Sequence, residues 1–392
     1  MASYDWLIVG AGFSGAVLAE RIATQRDQRV LVVDRRPHIG GNAHDYLDEA
    51  GVLIHRYGPH LFHTNSQRVW EYLSRFTSWR PYEHRVQASV EGKHVPVPFN
   101  LTSLEMLFPA DRAAALTQAL LARYGQDAHV PILKMRQQED PQLRDLGEYI
   151  YHAIFHGYTT KQWGLPPQAL SASVTGRVPV RVSHDDRYFL DKYQAMPADG
   201  YTRLFQRMLS HRNITVVLGV DWRDLGSAIR YKRMAYTGPI DAYFNYAHGP
   251  LPYRSLRFEF QMLEQERALE VGQINYPNDH RHTRVVEIKH ATGQECPNTT
   301  LCREYPQPHV AGATEPFYPI PREENRAIFQ RYQDEAAKLG GSVAFCGRLA
   351  DYQYYNMDQV VARSLMVFEQ EVARDATHLR GTGDAQPQVA AA

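Results

Sequence analysis

Only three cysteines occur in 392 residues, Cys296, Cys302 and Cys346, and no CxxC pair exists among them. An odd number without that spacing argues against a disulfide framework and against structural zinc, and it fits a reducing cytoplasm. Net charge is missing as well, because 43 Lys and Arg balance 43 Asp and Glu. With no long block of either sign, a nucleic-acid surface is not expected, although a local anion pocket is compatible with the balance. No apolar run approaches the roughly 18 residues of a membrane helix. The chain enters DWLIVGAG with no charged start and cleavage site, so a soluble protein is expected. No internal repeat, HExxH helix or Cys/His set is found, which removes the usual patterns of zinc or iron ligation.

What the chain does contain is enough apolar sequence, 44%, for two or three domains with real cores, and many aromatics, including 24 Tyr and 5 Trp. The opening reads as βαβ: DWLIV is a buried strand, Gly10 to Gly15 a turn, Phe13 to about Gln25 a helix, and RVLVVD a parallel strand ending at Asp34. A helix is predicted from about Asn65, with Val69, Trp70, Leu73 and Phe76 on one face, and RVQASVEGKHVPVPF reads as a hairpin. Residues 103–155 look helical, with one stripe of Leu116, Leu120, Leu121 and Tyr124 ended by Gly125. Leu143, Leu146, Ile150 and Ile154 make a second. Residues 157–182 read as a long loop, and Gly157 to Arg181 as a lid. Beyond about 214, β structure is expected. ITVVLG reads as a buried strand, and in SLRFEFQ the residues Leu256, Phe258 and Phe260 would form one dry face. Near the end, SVAFCGR is strand then glycine, followed by a helix with Val361, Leu365, Phe368 and Val372 on one stripe. This unit is expected to return to the first sheet.

The expected fold is α/β. A discontinuous Rossmann-like domain takes residues 1–78, 200–232 and 338–378, an inserted helical domain 100–198, and an antiparallel-sheet domain 79–99 and 233–337. Residues 379–392 read as a disordered tail.

GAGFSG places glycines at 10, 12 and 15 between a strand and a helix. The first permits the tight turn, the second lets backbone approach a pyrophosphate, and the third lets helix pack on strand. Asp34, 19 residues after Gly15, ends the second strand, where a carboxylate can accept from ribose hydroxyls. DRRPHIGGN then adds a second glycine pair, Gly40 and Gly41. That extension resembles FAD-binding proteins of the glutathione-reductase type, and FCGR resembles their C-terminal FAD contact, with Arg348 facing the pyrophosphate. RYGPHLFHT sets His60 and His63 three apart, with His55 upstream. A histidine pair on a loop is more often packing than ligation, and Gly58 and Pro59 pin a turn against which a flat ring could lie.

GGN, YGPHLFHT, GYTTKQWG, RVPVR, YQAMPADGYT, TRVVEIKH and YYNMD together resemble the UDP-galactopyranose mutase family over about residues 4–375. The resemblance implies a redox-neutral ring contraction between UDP-galactopyranose and UDP-galactofuranose. N5 of reduced FAD attacks the anomeric carbon, UDP leaves, the sugar opens and recloses through another hydroxyl, and UDP returns. It implies Arg177, Arg284 and His63 as catalytic residues, the arginines holding the diphosphate and also counting as substrate contacts. The other implied substrate residues are His84, Ile154, Tyr158, Thr159, Trp163, Tyr188, Phe189, Asn275, Tyr318, Tyr354 and Asn356. FAD contacts would come from Gly10, Gly12, Phe13, Ser14, Gly15, Asp34, Arg35, Gly41, Asn42, His60, Leu61, Val220, Arg348, Tyr355 and Met357. A cellular reductant for FAD and a homodimer are further implied; no metal is. Two positions depart from the pattern: Asn356 stands where many relatives have Asp, and Ile154 where an aromatic often packs on uracil. The rival enzyme reading is a flavin oxidase of the amine-oxidase type, which needs neither diphosphate arginines nor a uracil platform. A non-enzymatic protein like the Rab escort and dissociation-inhibitor proteins is the rival of another class.

Overall fold

The computed structural model of the chain describes residues 2–170 and 178–372. Five parallel strands form the central sheet in the order Ile214–Leu218, Val30–Asp34, Ala2–Val9, Ile229–Tyr236 and Val343–Phe345. Alternation sends Leu7, Leu31 and Met234 to one face and Ile8, Val32 and Ala235 to the other, and all six are buried. A sheet covered on both sides explains why these strands read as continuous apolar runs. The helix Phe13–Arg26 packs on one face beside Met357–Val367, sharing a core that contains Val17, Ile22, Val361 and Leu365. The end of the chain does return to the first sheet. Strand Ile229–Tyr236 runs past residue 232, so the boundary expected there cuts through a sheet strand and belongs after Tyr236.

Several local expectations need correction. ITVVLG is an edge strand, half-buried rather than buried, because no strand among the described residues pairs with its outer side. The helix expected from Asn65 spans only Gln67–Leu73, with Ser66 Oγ accepting from the Val69 amide; Phe76 is buried beyond its end. In strand Tyr253–Leu263, Leu256 is buried but Phe260 is 37% exposed, so the dry face does not run its whole length. Thr64 and His63 lie on the strand Phe62–Thr64, which pairs with Tyr193–Pro197, itself paired with Trp79–Pro81. Residues 79–81 and 193–197 therefore sit with the histidine loop, not with the β and helical domains to which they were assigned.

The large sheet has seven strands, in the order Tyr318–Pro319, Tyr253–Leu263, Thr299–Pro308, Arg284–Glu287, Gln273–Asn275, Val86–Val90 and Lys93–Val97. All its pairings are antiparallel except Gln273–Asn275 with Val86–Val90. Helices Leu101–Leu107, Ala110–Tyr124 and Pro141–Ile150 pack over the 86–97 hairpin around Leu104, Leu116, Leu120, Leu143, Leu146 and Ile150. The last continues as a π-helical turn, Tyr151–His156, and then as helix Gly157–Trp163, which replaces the start of the expected loop. Gly164, at φ 67°, stops it. A short 3₁₀ turn, Pro167–Ala169, and a strand, Val180–Arg181, occupy more of that stretch. Residues 171–177, with Arg177 and the middle of the predicted lid, lie outside the described residues, as does the predicted tail. Among the described residues no helix is long and apolar enough to cross a membrane.

Candidate active site

The first βα turn is built around close backbone approaches. A Cβ on Gly15 would sit 1.8 Å from the Gly10 carbonyl oxygen, and one on Gly41 would sit 2.9 Å from Gly12 Cα. Larger residues cannot bring these segments together. Asp34 locks the turn through its carboxylate, accepting from the Ala11 amide at 2.8 Å and the Arg36 amide at 2.9 Å. Helix Phe13–Arg26 starts at Gly12 with no side-chain cap and no acid in its first turn. Its first amides thus face outward as an anion receptor.

They open onto a cavity of about 520 Å³. Of the predicted cofactor residues, Gly10, Gly12, Phe13, Ser14, Asp34, Arg35, Gly41, Asn42, His60, Val220, Arg348 and Met357 line it. Gly15 lies beneath the turn, Leu61 packs half-buried on the core, and Tyr355 contributes a carbonyl that accepts from Arg348 Nη2 at 2.7 Å. Arg36 and Glu315, missed in the sequence, are as prominent as Arg35. Arg36 donates to Asn42 Oδ1 at 2.9 Å and Glu315 Oε2 at 2.7 Å, with its guanidinium over the Tyr57 ring. Burial works to raise the Glu315 pKa, but Arg36 and Arg35 outweigh it and hold the carboxyl below its ordinary range. The uncapped helix end, the glycine cradle and Asp34 fit a dinucleotide.

The histidines separate into two roles. His60 donates its backbone N–H to His55 Nδ1 at 3.0 Å, and its own Nδ1 lies 2.9 Å from the Gly58 carbonyl. That carbonyl can only accept, so Nδ1 carries the His60 proton and Nε2 is a bare acceptor. Burial lowers both rings to about 3, keeping them neutral. His63 behaves differently: its Nδ1 pairs with Asp191 Oδ2 at 2.9 Å and its ring stacks on Phe189 with centroids 3.7 Å apart. Among the described residues no group of three or more His, Cys, Asp or Glu is placed to hold a metal ion.

A second cavity of about 180 Å³ is lined by Ile154, Tyr158, Thr159, Trp163, Tyr188, Asn275, Arg284, Tyr318 and Tyr354, all predicted substrate residues. His84 lies behind it, buried, its ring edge-on to Tyr188, and Phe189 lies behind Tyr188 on the His63 side. Asn356 caps helix Met357–Val367, its backbone N–H donating to Gln359 Oε1 at 2.8 Å. The two cavities share a wall, because the Arg348 guanidinium lies 5.5 Å from the Tyr318 ring centre and 5.9 Å from that of Tyr354.

Three groups hold the second cavity in shape. The wide π turn leaves the His152 and Ala153 carbonyls to accept from Asn278 Nδ2. Lys161 Nζ donates to the Tyr276 and Asp279 carbonyls at 2.8 Å each, and Arg254 Nε donates to the Gln162 carbonyl at 2.9 Å. The helix carrying Tyr158, Thr159 and Trp163 is thereby fastened to the large sheet, and Trp163 is 5% exposed. On the opposite wall Arg284 Nη2 meets Glu304 Oε2 at 2.7 Å, with Glu304 fully buried. Gln273 Nε2 donates to Asn275 Oδ1 at 2.8 Å, so the Asn275 amide group is left to face the cavity as a donor.

Residues 153–354 match the family described as UDP-galactopyranose mutase, and residues 8–76 match the NAD(P)-binding Rossmann-like domain. A Klebsiella pneumoniae protein named as a probable UDP-galactopyranose mutase is 36% identical over 93% of this chain and 94% of its own length. The chain belongs to the UDP-galactopyranose mutase family. As a member it is an isomerase with a Rossmann-like nucleotide-binding domain. The Escherichia coli dTDP-fucopyranose mutase is 34% identical over 92% of this chain and 96% of its own. The Mycoplasma genitalium UDP-galactopyranose mutase is 33% identical over 94% and 95%. Among solved structures, reduced UDP-galactopyranose mutase superposes with a TM-score of 0.72 at 16% identity, covering 95% of both chains. Wild-type putrescine oxidase bound to putrescine reaches 0.53 at 15% identity, covering 95% of this chain and 99% of that one. The amine-oxidase likeness is thus one of fold, and the mutase reading stands over it.

Proposed function

We propose that this mutase interconverts UDP-galactopyranose and UDP-galactofuranose, with FAD in the larger cavity and the nucleotide sugar in the smaller. One observation carries the reading. A guanidinium, a directed amide donor and a ring of aromatic faces converge beside a dinucleotide cradle and share a wall with it. Arg284 holds the diphosphate, joined by Arg177 from the family resemblance; a fork of donors suits phosphate oxygens. Tyr158, Thr159 and Trp163 cover the base together with Tyr188, Phe189 and Ile154, while Tyr318, Tyr354 and Asn356 lie around the phosphates and sugar, with Asn275 and His84 as further substrate contacts. Asp34 takes a ribose, and His60 lies against the cofactor ring. When bound in reduced form, FAD would supply a nucleophilic nitrogen for the anomeric carbon. The residues orient the sugar and exclude water, and His63 holds a proton for the sugar oxygens. A homodimer in the cytoplasm, kept active by a cellular reductant, completes the reading on family resemblance.

The test is anaerobic incubation of dithionite-reduced protein with UDP-galactofuranose, followed by chromatography. UDP-galactopyranose is expected, with no turnover by the fully oxidised enzyme in air. A reduced, flavin-loaded protein that leaves UDP-galactofuranose unchanged would exclude this substrate. Running dTDP-fucopyranose in parallel decides whether the likeness to the E. coli enzyme extends to its named substrate.

A further inference from the structure

We infer that Asp191 is a positioning residue for the sugar rearrangement, fixing His63 as a proton carrier through Nε2. The inference rests on the proposed ring contraction and adds a residue that the sequence motifs did not single out. Asp191 Oδ2 lies 2.9 Å from His63 Nδ1, and its other oxygen accepts from Asn65 Nδ2 at 3.0 Å. Asn65 is held in turn, its Oδ1 accepting from the Lys192 amide at 2.8 Å. The carboxylate is thus aimed from both sides and cannot swing away without breaking a second bond.

The ring it meets is equally fixed. His63 pairs with Gln194 across the small sheet, stacks flat on Phe189, and exposes 13% of its side chain. A carboxylate accepts only, so Nδ1 carries a proton and Nε2 is the exchanging nitrogen. Nε2 has no hydrogen-bond partner among the described residues. Neither His63 nor Asp191 lines either cavity directly, but residues adjoining the dyad do. His60, three residues earlier, lines the larger; Tyr188, edge-on to the Phe189 on which His63 stacks, lines the smaller.

Ring contraction needs such a carrier. The O5–C1 bond breaks and O5 gains a proton; the O4–C1 bond forms and the 4-hydroxyl loses one. A single imidazole starting as the Nδ1–H ring would serve both: Nε2 takes the proton that the attacking nitrogen loses on bonding C1 and gives it to O5 at opening, then takes one from the 4-hydroxyl at closure and returns it to that nitrogen when UDP is restored. It ends in the state in which it began. Asp191 holds the proton on Nδ1 and so keeps the exchanging nitrogen the same throughout, as the aspartate of a hydrolase triad does for its histidine.

Asp191→Asn tests this, because the amide oxygen can still accept from Asn65 while its NH₂ group faces His63 and forces the opposite tautomer. In holoenzyme carrying ¹⁵N-labelled histidine, with His63→Gln used for assignment, wild-type His63 should show a protonated Nδ1. The Asn variant should show Nε2–H instead. The kcat of the reduced variant should fall about a hundredfold or more, with KM within about twofold and flavin content unchanged. A wild-type spectrum with Nδ1 unprotonated overturns the assignment even if the variant does not fold. So does an Asn variant whose kcat stays within threefold of wild type. Wild-type turnover of UDP-galactofuranose is scored separately, so failure of the substrate reading and failure of the dyad give different results.

Discussion

Replacing Arg284 by Ala tests the diphosphate site and exposes a complication that sequence reasoning did not foresee. Read from the motif alone, Arg284→Ala should disturb binding and leave folding intact. The structure argues otherwise. Arg284 is 18% exposed at its side chain and Glu304 is 1% exposed, so the substitution leaves a buried carboxylate facing an emptied space. Breaking a buried pair from one side costs roughly 3–5 kcal/mol, mostly the desolvation of the abandoned charge. At about 2.1 cal/mol/K of unfolding entropy per residue, a 392-residue chain should then lose roughly 4–6 °C in Tm. The double variant Arg284→Ala, Glu304→Gln carries no abandoned charge, so it should regain most of that loss while remaining unable to bind UDP. The assays are thermal unfolding of the flavin-loaded proteins and calorimetric titration with UDP. An Arg284→Ala protein melting within 1 °C of wild type, or a double variant no more stable than the single, would refute the reasoning.

Three further outcomes follow from the packing. Gly15→Ala should yield protein without stoichiometric flavin, since its methyl would lie 1.8 Å from the Gly10 carbonyl oxygen; full flavin absorbance per chain would contradict this. Lys161→Met removes both bonds to the 276–279 segment and should weaken UDP binding about tenfold in calorimetry by loosening the helix that carries Tyr158, whereas unchanged affinity would show that the helix needs no such fastening. His55 and His84 are each 3% exposed and pulled to about 3 by burial, against 6.5 unfolded. Between those values the unfolded chain binds more protons, so their contribution is present above about pH 7 and is lost as pH falls through 6.5. Beside the contribution of His60, these two should withdraw roughly 2.5 kcal/mol between pH 7 and 5.5 in urea unfolding, and His55→Asn should reduce the pH dependence by roughly 1.3 kcal/mol; an unaltered pH dependence would show that His55 is not among the groups responsible.

The parts of the site legible in sequence are those whose chemistry is local. GAGFSG, Asp34 and the second glycine pair lie within about thirty residues and form one turn, so spacing alone revealed the cradle. Nine predicted substrate residues converge on one cavity because their motifs place aromatic and basic groups at fixed points of single elements. Residues defined by partners far along the chain escaped. Glu315 meets Arg36 across 279 positions and Asp191 meets His63 across 128, and neither has a neighbouring motif to mark it. The segment after Gly157 reads as loop in the sequence because Gly and two threonines are poor helix formers. The preceding π turn and the Lys161 and Arg254 anchors override that weak preference. Phe260 fits its alternation yet stays partly exposed, since period two fixes a face and says nothing of what covers it.

The order of strands in the central sheet has a consequence for biosynthesis. Its first two strands leave the ribosome within the opening 34 residues, but their neighbours are residues 214–218 on one side and 229–236 on the other. For most of translation, therefore, Ala2–Val9 and Val30–Asp34 can pair only with each other, and each leaves its outer edge unpaired. The last strand, Val343–Phe345, follows its neighbour Ile229–Tyr236 only after about a hundred further residues. Such nascent edges invite pairing between chains on one polysome, the hazard that long-range parallel sheets carry. The inserted 86–97 hairpin and its covering helices, by contrast, close over neighbouring sequence and can fold while the sheet still waits.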